Sequence, residues 1–332
     1  MNCHCCNGET KKFGRFQNHN RLVQRYRCIR CGKTMSESQP LNGIRTDAGE
    51  AAKVIGMLCE GVGIRAISRL TGLDKKTVLR ILESAGEHCA RLLDAKIRNV
   101  NAEQIQADEI CCFVGCRQYN TIEGDPERGQ FFTFLSVDRA SKLILNWRTA
   151  KRKRPEAIEF FTDLKGRVQN RFQLSTDGWR GYSGKIGAVR RVFGDNIDYA
   201  TEIKHFPADN PRLSTLRFGL WKVDPKNIVS TKRKRRIGEP DMALATTSHC
   251  ERTNLSVRLF NRRFTRLTLG YSKKLANLRH AVALFIAHFN FCRNHTALKI
   301  KATETTKAQE RTPATAAGLT DHTWTIEEML KS

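Results

Sequence analysis

The chain has 332 residues, with 58 Lys plus Arg against 33 Asp plus Glu and a formal net charge of +25, giving a pI near 9.9. An excess of that size calls for a polyanionic partner. No segment reaches the roughly 18 consecutive apolar residues of a spanning helix, no amphipathic anchor stands out, and Met1 leads into Cys3 and His4 rather than a secretory leader, so nucleic acid is expected over a membrane surface and the protein is expected to be cytoplasmic and nucleoid-associated.

Residues 1–40 carry two pairs of C-x-x-C spacing, Cys3 with Cys6 and Cys28 with Cys31. A two-residue gap lets a tight turn aim both thiolates at one ion, and two such turns complete the tetrahedral set that Zn²⁺ prefers. RLVQRYRC (Arg21 to Cys28) alternates like a short strand of a zinc ribbon. So little apolar material precedes residue 40 that the metal must supply much of the folding energy. His4 and Cys5 compete for the first pair on composition, and spacing favours Cys3 and Cys6. The chain's twelve cysteines read as thiols or metal ligands rather than bridges.

Residues 41–100 turn helical. Val54, Ile55 and Leu58, then Ile67, Leu70, Val78, Ile81 and Leu82, recur at helical spacing. IRAISRLTG (Ile64 to Gly72) gives one helix with a glycine stop, and LDKKTVLRILESAG (Leu73 to Gly86) a second capped by Asp74. This is a helix-turn-helix expectation, with Lys75, Lys76 and Arg80 available to DNA.

Residues 101–300 shift to strands. Gln104–Gly115, Gly129–Asp138 and Lys142–Thr149 read as three strands, Arg154–Val168 as a helix and Arg171–Asp177 as a fourth strand. That order predicts an α/β ribonuclease H-like domain with a mixed five-stranded sheet, in which the first and fourth strands are neighbours. Asp108 and Asp177 then converge. In-line phosphoryl displacement uses two divalent ions about 3.5–4 Å apart, and Mg²⁺ or Mn²⁺ takes oxygen ligands. Glu251, on a predicted helix with Arg258 two turns further along, is the third acid. Asp138, Asp163, Asp195 and Asp198 read as structural, and Cys111, Cys112 and Cys116 as small buried residues. The extended segment 202–245 includes KRKRR (Lys232, Arg233, Lys234, Arg235 and Arg236), expected as a basic loop that clamps DNA. Leu278–His295 is expected as a last core helix on the sheet, and residues 301–332 as a polar tail.

At ADEICCFVG, STDGW and HCERTNLSVRLFNRRFTRLTLGYSKKL, and so over most of its length, the chain resembles the bacterial and archaeal DDE transposases of the insertion sequence 1 type. Members combine a zinc finger, a helix-turn-helix and a catalytic domain whose helix carries ERxNLxxR, followed by Arg-rich and FSKS-like segments. The matching positions are Cys3 through Cys31, Ile64 to Glu83, Glu251 to Leu255 with Arg258, and Tyr271 to Lys274. The resemblance implies a DDE triad of Asp108, Asp177 and Glu251 with Mg²⁺ (or Mn²⁺), Arg258 as its basic companion, and zinc on Cys3, Cys6, Cys28 and Cys31. It also implies double-stranded DNA, both transposon ends and target, as partner, and a homodimer or higher assembly. CHCC replaces the proline-containing first knuckle and YSKK replaces FSKS. The expected activity is metal-dependent cleavage and strand transfer at the ends of the element. The alternatives are a DNA-binding regulator with an inactive catalytic domain, and a ribonuclease H-like nuclease or resolvase without strand transfer.

Overall fold

Three short strands open the chain: β1 (Thr10–Asn18), β2 (Arg21–Cys28) and β3 (Thr34–Ser36) form a meander in the order β1-β2-β3. The computed structural model describes residues 3, 5–6, 8–18, 21–36, 44, 46–122, 125–205, 228–266, 268–302 and 307–332. His4 and residues 206–227, half of the long segment expected over 202–245, lie outside the described residues. The chain divides into two compact units, one of Met1–Ile97, Cys112–Gln130 and Leu255–Ser332, the other of Arg98–Cys111 and Phe131–Asn254.

In the first unit α1 (Ala48–Cys59), α2 (Ile64–Thr71) and α3 (Lys75–Lys96) follow the meander. Asp47 Oδ1 accepts from the Gly49 N–H at 2.9 Å and Asp74 Oδ1 from the Lys76 N–H at 2.8 Å, each meeting one orphan donor of a helix start. Gly72, at φ 74°, closes α2 in the left-handed region. The second helix was expected to stop at Gly86. It runs on to Lys96, because Gly86 is a crossing point: a Cβ there would come within 2.4 Å of His280 Cβ. His280 belongs to the helix Leu275–Ala287, which lies along α3, so the segment expected on the sheet has a helix as its partner. The tail folds back within this unit, with Trp324 stacked on Phe291 at 4.5 Å and Met329 and Leu330 buried. Among the described residues, no helix is long and apolar enough to cross a membrane.

The second unit is mixed α/β. Its strands are β4 (Gln104–Val114, of which the residues through Cys111 belong to this unit), β5 (Gly129–Asp138, from Phe131 onward in this unit), β6 (Ile144–Ala150), β7 (Gln173–Thr176), β8 (Asp198–His205) and β9 (Ser230–Ile237), in the sheet order β6-β5-β4-β7-β8-β9. β4 and β7 are parallel, as are β7 and β8, whereas β5/β6 and β8/β9 are antiparallel. The first and fourth strands of the domain are therefore neighbours, as the element order implies. The sheet has six strands where five were expected, and the extra one is the KRKRR segment, expected as a loop. Lys and Arg carry little strand propensity, yet β8 offers an open edge and a strand of exposed cations both pairs with it and blunts it against further pairing. Helix α4 (Arg154–Lys165) and two short helices, α5 (Arg180–Ser183) and α6 (Ala188–Phe193), cover the sheet with an aromatic cluster. Phe161 and Tyr182 stand 5.1 Å apart, Trp179 and Tyr182 4.8 Å, Phe134 and Phe160 5.8 Å. The last element is α7 (Ser248–Phe260), whose residues through Asn254 belong to this unit.

Candidate functional site

The register of the parallel strands builds the acidic site. β4 pairs with β7 up to Ala107↔Thr176, and β7 with β8 up to Thr176↔Thr201. Asp108 and Asp177 are each the next residue and so stand side by side, Asp177 just past the carboxyl end of β7 and Asp108 within β4 at the point where its pairing with β7 stops. Carboxylate oxygens of Asp108, Glu109 and Asp177 lie within 4.8 Å of one another.

Each acid is held differently. Asp108 Oδ2 accepts from Asn254 Nδ2 at 2.9 Å. Two residues earlier on the same strand face, Gln106 Oε1 accepts the His249 and Cys250 N–H groups at 2.8 and 3.1 Å. The start of α7 is thus pinned to β4 at two points. Burial, reinforced by the charge of Asp177, pushes the Asp108 carboxyl up to about 7. Glu109, its side chain 2% exposed, is pushed up to about 8 by burial and then by Asp177. Its Oε1 accepts from Arg152 Nε, while Oε2 is buried and has no hydrogen-bond partner among the described residues. Asp177 Oδ1 accepts the Trp179 N–H at 3.0 Å, and Oδ2 accepts from Arg152 at 3.3 Å. Asp177 thus closes a local turn as well as joining the cluster. Gly178 is required there, because a Cβ would lie 2.8 Å from Ile203 of β8. Arg152 is oriented by stacking 4.6 Å over the Trp179 ring, a contact of about 0.5–2 kcal/mol.

Glu251 stands one helical turn before Asn254 on α7. Its Oε1 is held by Lys204 and by the Thr247 hydroxyl at 2.8 Å, and its side chain is 45% exposed. It is outside the 4.8 Å cluster, though its charge helps to raise Asp108. Buried Glu202 supports this corner: its Oε2 accepts from Thr246 and Thr247, and Arg233 lies 3.5 Å from its Oε1. Three crowded carboxylates, one buried oxygen without a donor and an all-oxygen ligand set fit a hard divalent cation such as Mg²⁺.

Sulfur forms the second cluster. Cys3, Cys6, Cys28 and Cys31 have Sγ atoms mutually within 4.8 Å, with Cys3–Cys31 and Cys6–Cys28 each at 3.5 Å. A tetrahedral zinc with Zn–S bonds of about 2.3 Å needs sulfurs about 3.8 Å apart, so the set fits. The Cys31 N–H donates to Cys28 Sγ at 3.4 Å and is the main cause holding that thiol down to about 6, toward the thiolate a metal takes.

The chain is similar to a piggyBac transposase synaptic complex with hairpin DNA, at 8% identity over 86% of this chain and 69% of that one, TM-score 0.42. It is similar also to a simian T-cell lymphotropic virus intasome in complex with PP2A regulatory subunit B56 gamma, at 15% identity over 80% and 74%, TM-score 0.32. A third likeness is to the Mos1 transposase paired-end complex with left transposon end, at 13% identity over 48% and 60%, TM-score 0.22. All three scores are too low for the likenesses to carry the assignment of a function, which rests on the site itself. No protein-family model matches the chain, and no curated protein matches it.

The remaining expected residues are scattered. Lys75, Lys76 and Arg80 are exposed on the first turns of α3. Lys232 and Lys234 are exposed on β9, where Arg235 pairs with Glu239 at 2.6 Å and Arg236 donates to Thr201 at 3.1 Å. Arg258 is half-buried in the last turn of α7. Asp138 accepts from Ser141 in the β5–β6 turn, Asp163 pairs with Arg167 and Asp198 with Arg171, which are structural roles. Among the described residues, Cys111, Cys112 and Cys116 form no metal cluster. Sequence reasoning missed Glu109, Arg152, Lys204 and Asn254 as site residues. Asn254 was within sight, being part of the ERTN run, whereas Arg152 and Lys204 carry no local signal.

Proposed function

We propose that this chain is a DNA transposase, of the insertion sequence 1 type, with a ribonuclease H-like catalytic unit that cleaves and joins DNA. One observation carries the reading: the parallel register of β4 and β7 brings Asp108 and Asp177 together just past the last residues the two strands pair, in a chain of net charge +25. Numbered within the unit, the first five strands run 3-2-1-4-5 across the sheet, the ribonuclease H-like order.

Asp108 and Asp177 are the residues that would hold Mg²⁺ or Mn²⁺, with Glu251 as the third acid. Divalent ions, when bound, activate an attacking oxygen and stabilise a leaving one. The chain's own groups do the positioning. Asn254 fixes the Asp108 carboxylate through its amide, and Arg152, stacked on Trp179, balances Glu109 and Asp177 and keeps both acids in place. The four cysteines hold zinc and fold the amino-terminal ribbon. Lys75, Lys76, Arg80, Arg258 and the β9 cations serve phosphate contacts, which set affinity rather than sequence. Two ends must be handled together, so the working form is a dimer or larger assembly.

The test is to incubate the full-length protein with labelled duplexes carrying the DNA that flanks its gene, a second target DNA and Mg²⁺. Wild type should nick the duplex and join it to the target, while Asp108→Asn binds and does neither. Binding without nicking by wild type would sink the reading in favour of a regulator, and nicking without joining would leave a nuclease.

A further inference from the structure

The first unit contains a cleft of about 970 Å³ between the α1–α2 turn, α2, the start of α3 and the segment 262–277. Six cationic side chains line it: Arg65 and Arg69 from α2, Lys75 from α3, and Arg262, Arg263 and Lys273 from the segment that follows α7. None of the described lining residues is acidic. A solvated basic face would spread its charges, whereas here two separate stretches of chain aim theirs into one concavity.

Backbone packing fixes that arrangement. Gly61, at φ +78°, seats the α1–α2 turn so closely on the end of α7 that a Cβ would lie 2.8 Å from the Leu259 carbonyl oxygen. A Cβ at Gly270 would lie 3.0 Å from the Arg262 carbonyl oxygen. The α1–α2 turn is therefore seated at backbone distance on the end of α7, and the stretch that follows α7 is folded closely on itself, independent of how the long side chains swing.

Arg263 supplies a second, independent observation. Its Nε donates to Ser272 Oγ at 2.8 Å, and burial alone, with no acid contributing, pushes it down to about 10. A desolvated guanidinium is costly without an anion, and its neighbours in the cleft are cations. Lys273, 4.8 Å over the Tyr271 ring, adds an oriented charge beside it.

We propose that this cleft binds the phosphate backbone of duplex DNA, so that the α2–α3 pair and the segment after α7 grip one DNA together. The proposal rests on the DNA-transposase reading and adds to it a backbone grip beyond Lys75, Lys76 and Arg80. Duplex DNA is favoured because the cleft is walled by the first helix of a helix-turn-helix pair, the helix that in such pairs crosses the backbone.

The test uses two full-length double variants, Arg65→Gln with Arg69→Gln and Arg262→Gln with Lys273→Gln. Binding of a fluorescein-labelled duplex of arbitrary sequence is followed by anisotropy without divalent cations, from about 50 to about 200 mM salt. Each lost phosphate contact should reduce the slope of log affinity against log salt by about 0.9, so each double variant should lose about 1.8, with an unchanged melting temperature. The two pairs lie on separate segments, so misfolding of one variant leaves the other to decide. Wild-type slope and affinity in a folded double variant would overturn the proposal, as would displacement of the duplex by single-stranded RNA at lower concentration than by unlabelled duplex. A wild type that binds with this slope yet never nicks DNA sinks the transposase reading and leaves the cleft. A wild type that nicks, with folded double variants that bind as it does, sinks the cleft and leaves the reading.

Discussion

The sulfur cluster and the carboxylate cluster are both ready for metal, yet they rest on opposite foundations. Around the four thiols the three-stranded meander buries little beyond Cys3, Val23, Cys28 and Ser36, and Phe13, Phe16, Leu22 and Ile29 are exposed. Around the three carboxylates stand a six-stranded sheet and a packed aromatic cluster. A metal among the thiols therefore replaces a core. A metal among the carboxylates only relieves a cost, since burial and mutual repulsion already push Asp108 up to about 7 and Glu109 up to about 8.

The largest effect should come from stripping the thiols. Structural zinc supplies roughly 10–16 kcal/mol of apparent binding energy in zinc-finger peptides, so a strong chelator, or Cys28→Ser, should abolish amide-exchange protection in β1–β3 while the six-stranded sheet keeps its own. Protected meander amides after chelation would break the contrast. Next comes Asp108→Asn, which should lower DNA cleavage on the order of 10³-fold. Its melting temperature should stay level or rise, because a neutral isostere replaces a carboxylate crowded in a desolvated site. A marked drop in melting temperature would make Asp108 a structural residue and erase the distinction between the clusters.

Smaller again is the loss expected from Asn254→Ala. The amide touches Asp108 and not the reacting atoms, and orienting groups of this kind are worth about 10–100-fold in metal affinity or activity. Calorimetric titration of Mn²⁺ into the full-length variant reads this directly, and Asn254→Asp should fail to rescue it, since a second carboxylate cannot donate to Asp108. Wild-type affinity in Asn254→Ala would leave the pinning of α7 to Gln106 alone.

The same contrast governs how much of each cluster is legible in the sequence. Cys3, Cys6, Cys28 and Cys31 are legible because two-residue gaps write a turn into the sequence. Asp177 is legible because it ends a short strand-like run, and Asp108 because it lies on the run that the order of elements makes that strand's neighbour. Glu109 is not, because alternation assigns it the face opposite Asp108, and its cationic partner Arg152 is brought from the β6–α4 connection. β9 is illegible for a related reason: its pairing is licensed by the open edge of β8, and its composition argues against a strand. Gly86 misleads outright, since a residue that usually stops a helix is here the one that lets another helix cross it.

The finest test concerns the corner where the two readings of Glu251 part. Lys204 holds Glu251 Oε1, lies 3.9 Å from Glu202 and draws down the raised Asp108 carboxyl, so a protein cation already occupies the edge of the acidic site. If Glu251 is the third acid, the ammonium competes with a divalent ion for it, and Lys204→Gln should tighten Mn²⁺ binding. Lys204 and Glu251 are 24% and 45% exposed, so solvent screens the pair to about 0.2–1 kcal/mol, and the gain should be at most about fivefold. The double variant Lys204→Gln with Glu251→Gln should then lose that gain. If Glu251 is instead only a helix-face partner for Lys204, the single variant binds Mn²⁺ no better than wild type, and the acidic site is complete with the three carboxylates that β4 and β7 bring together.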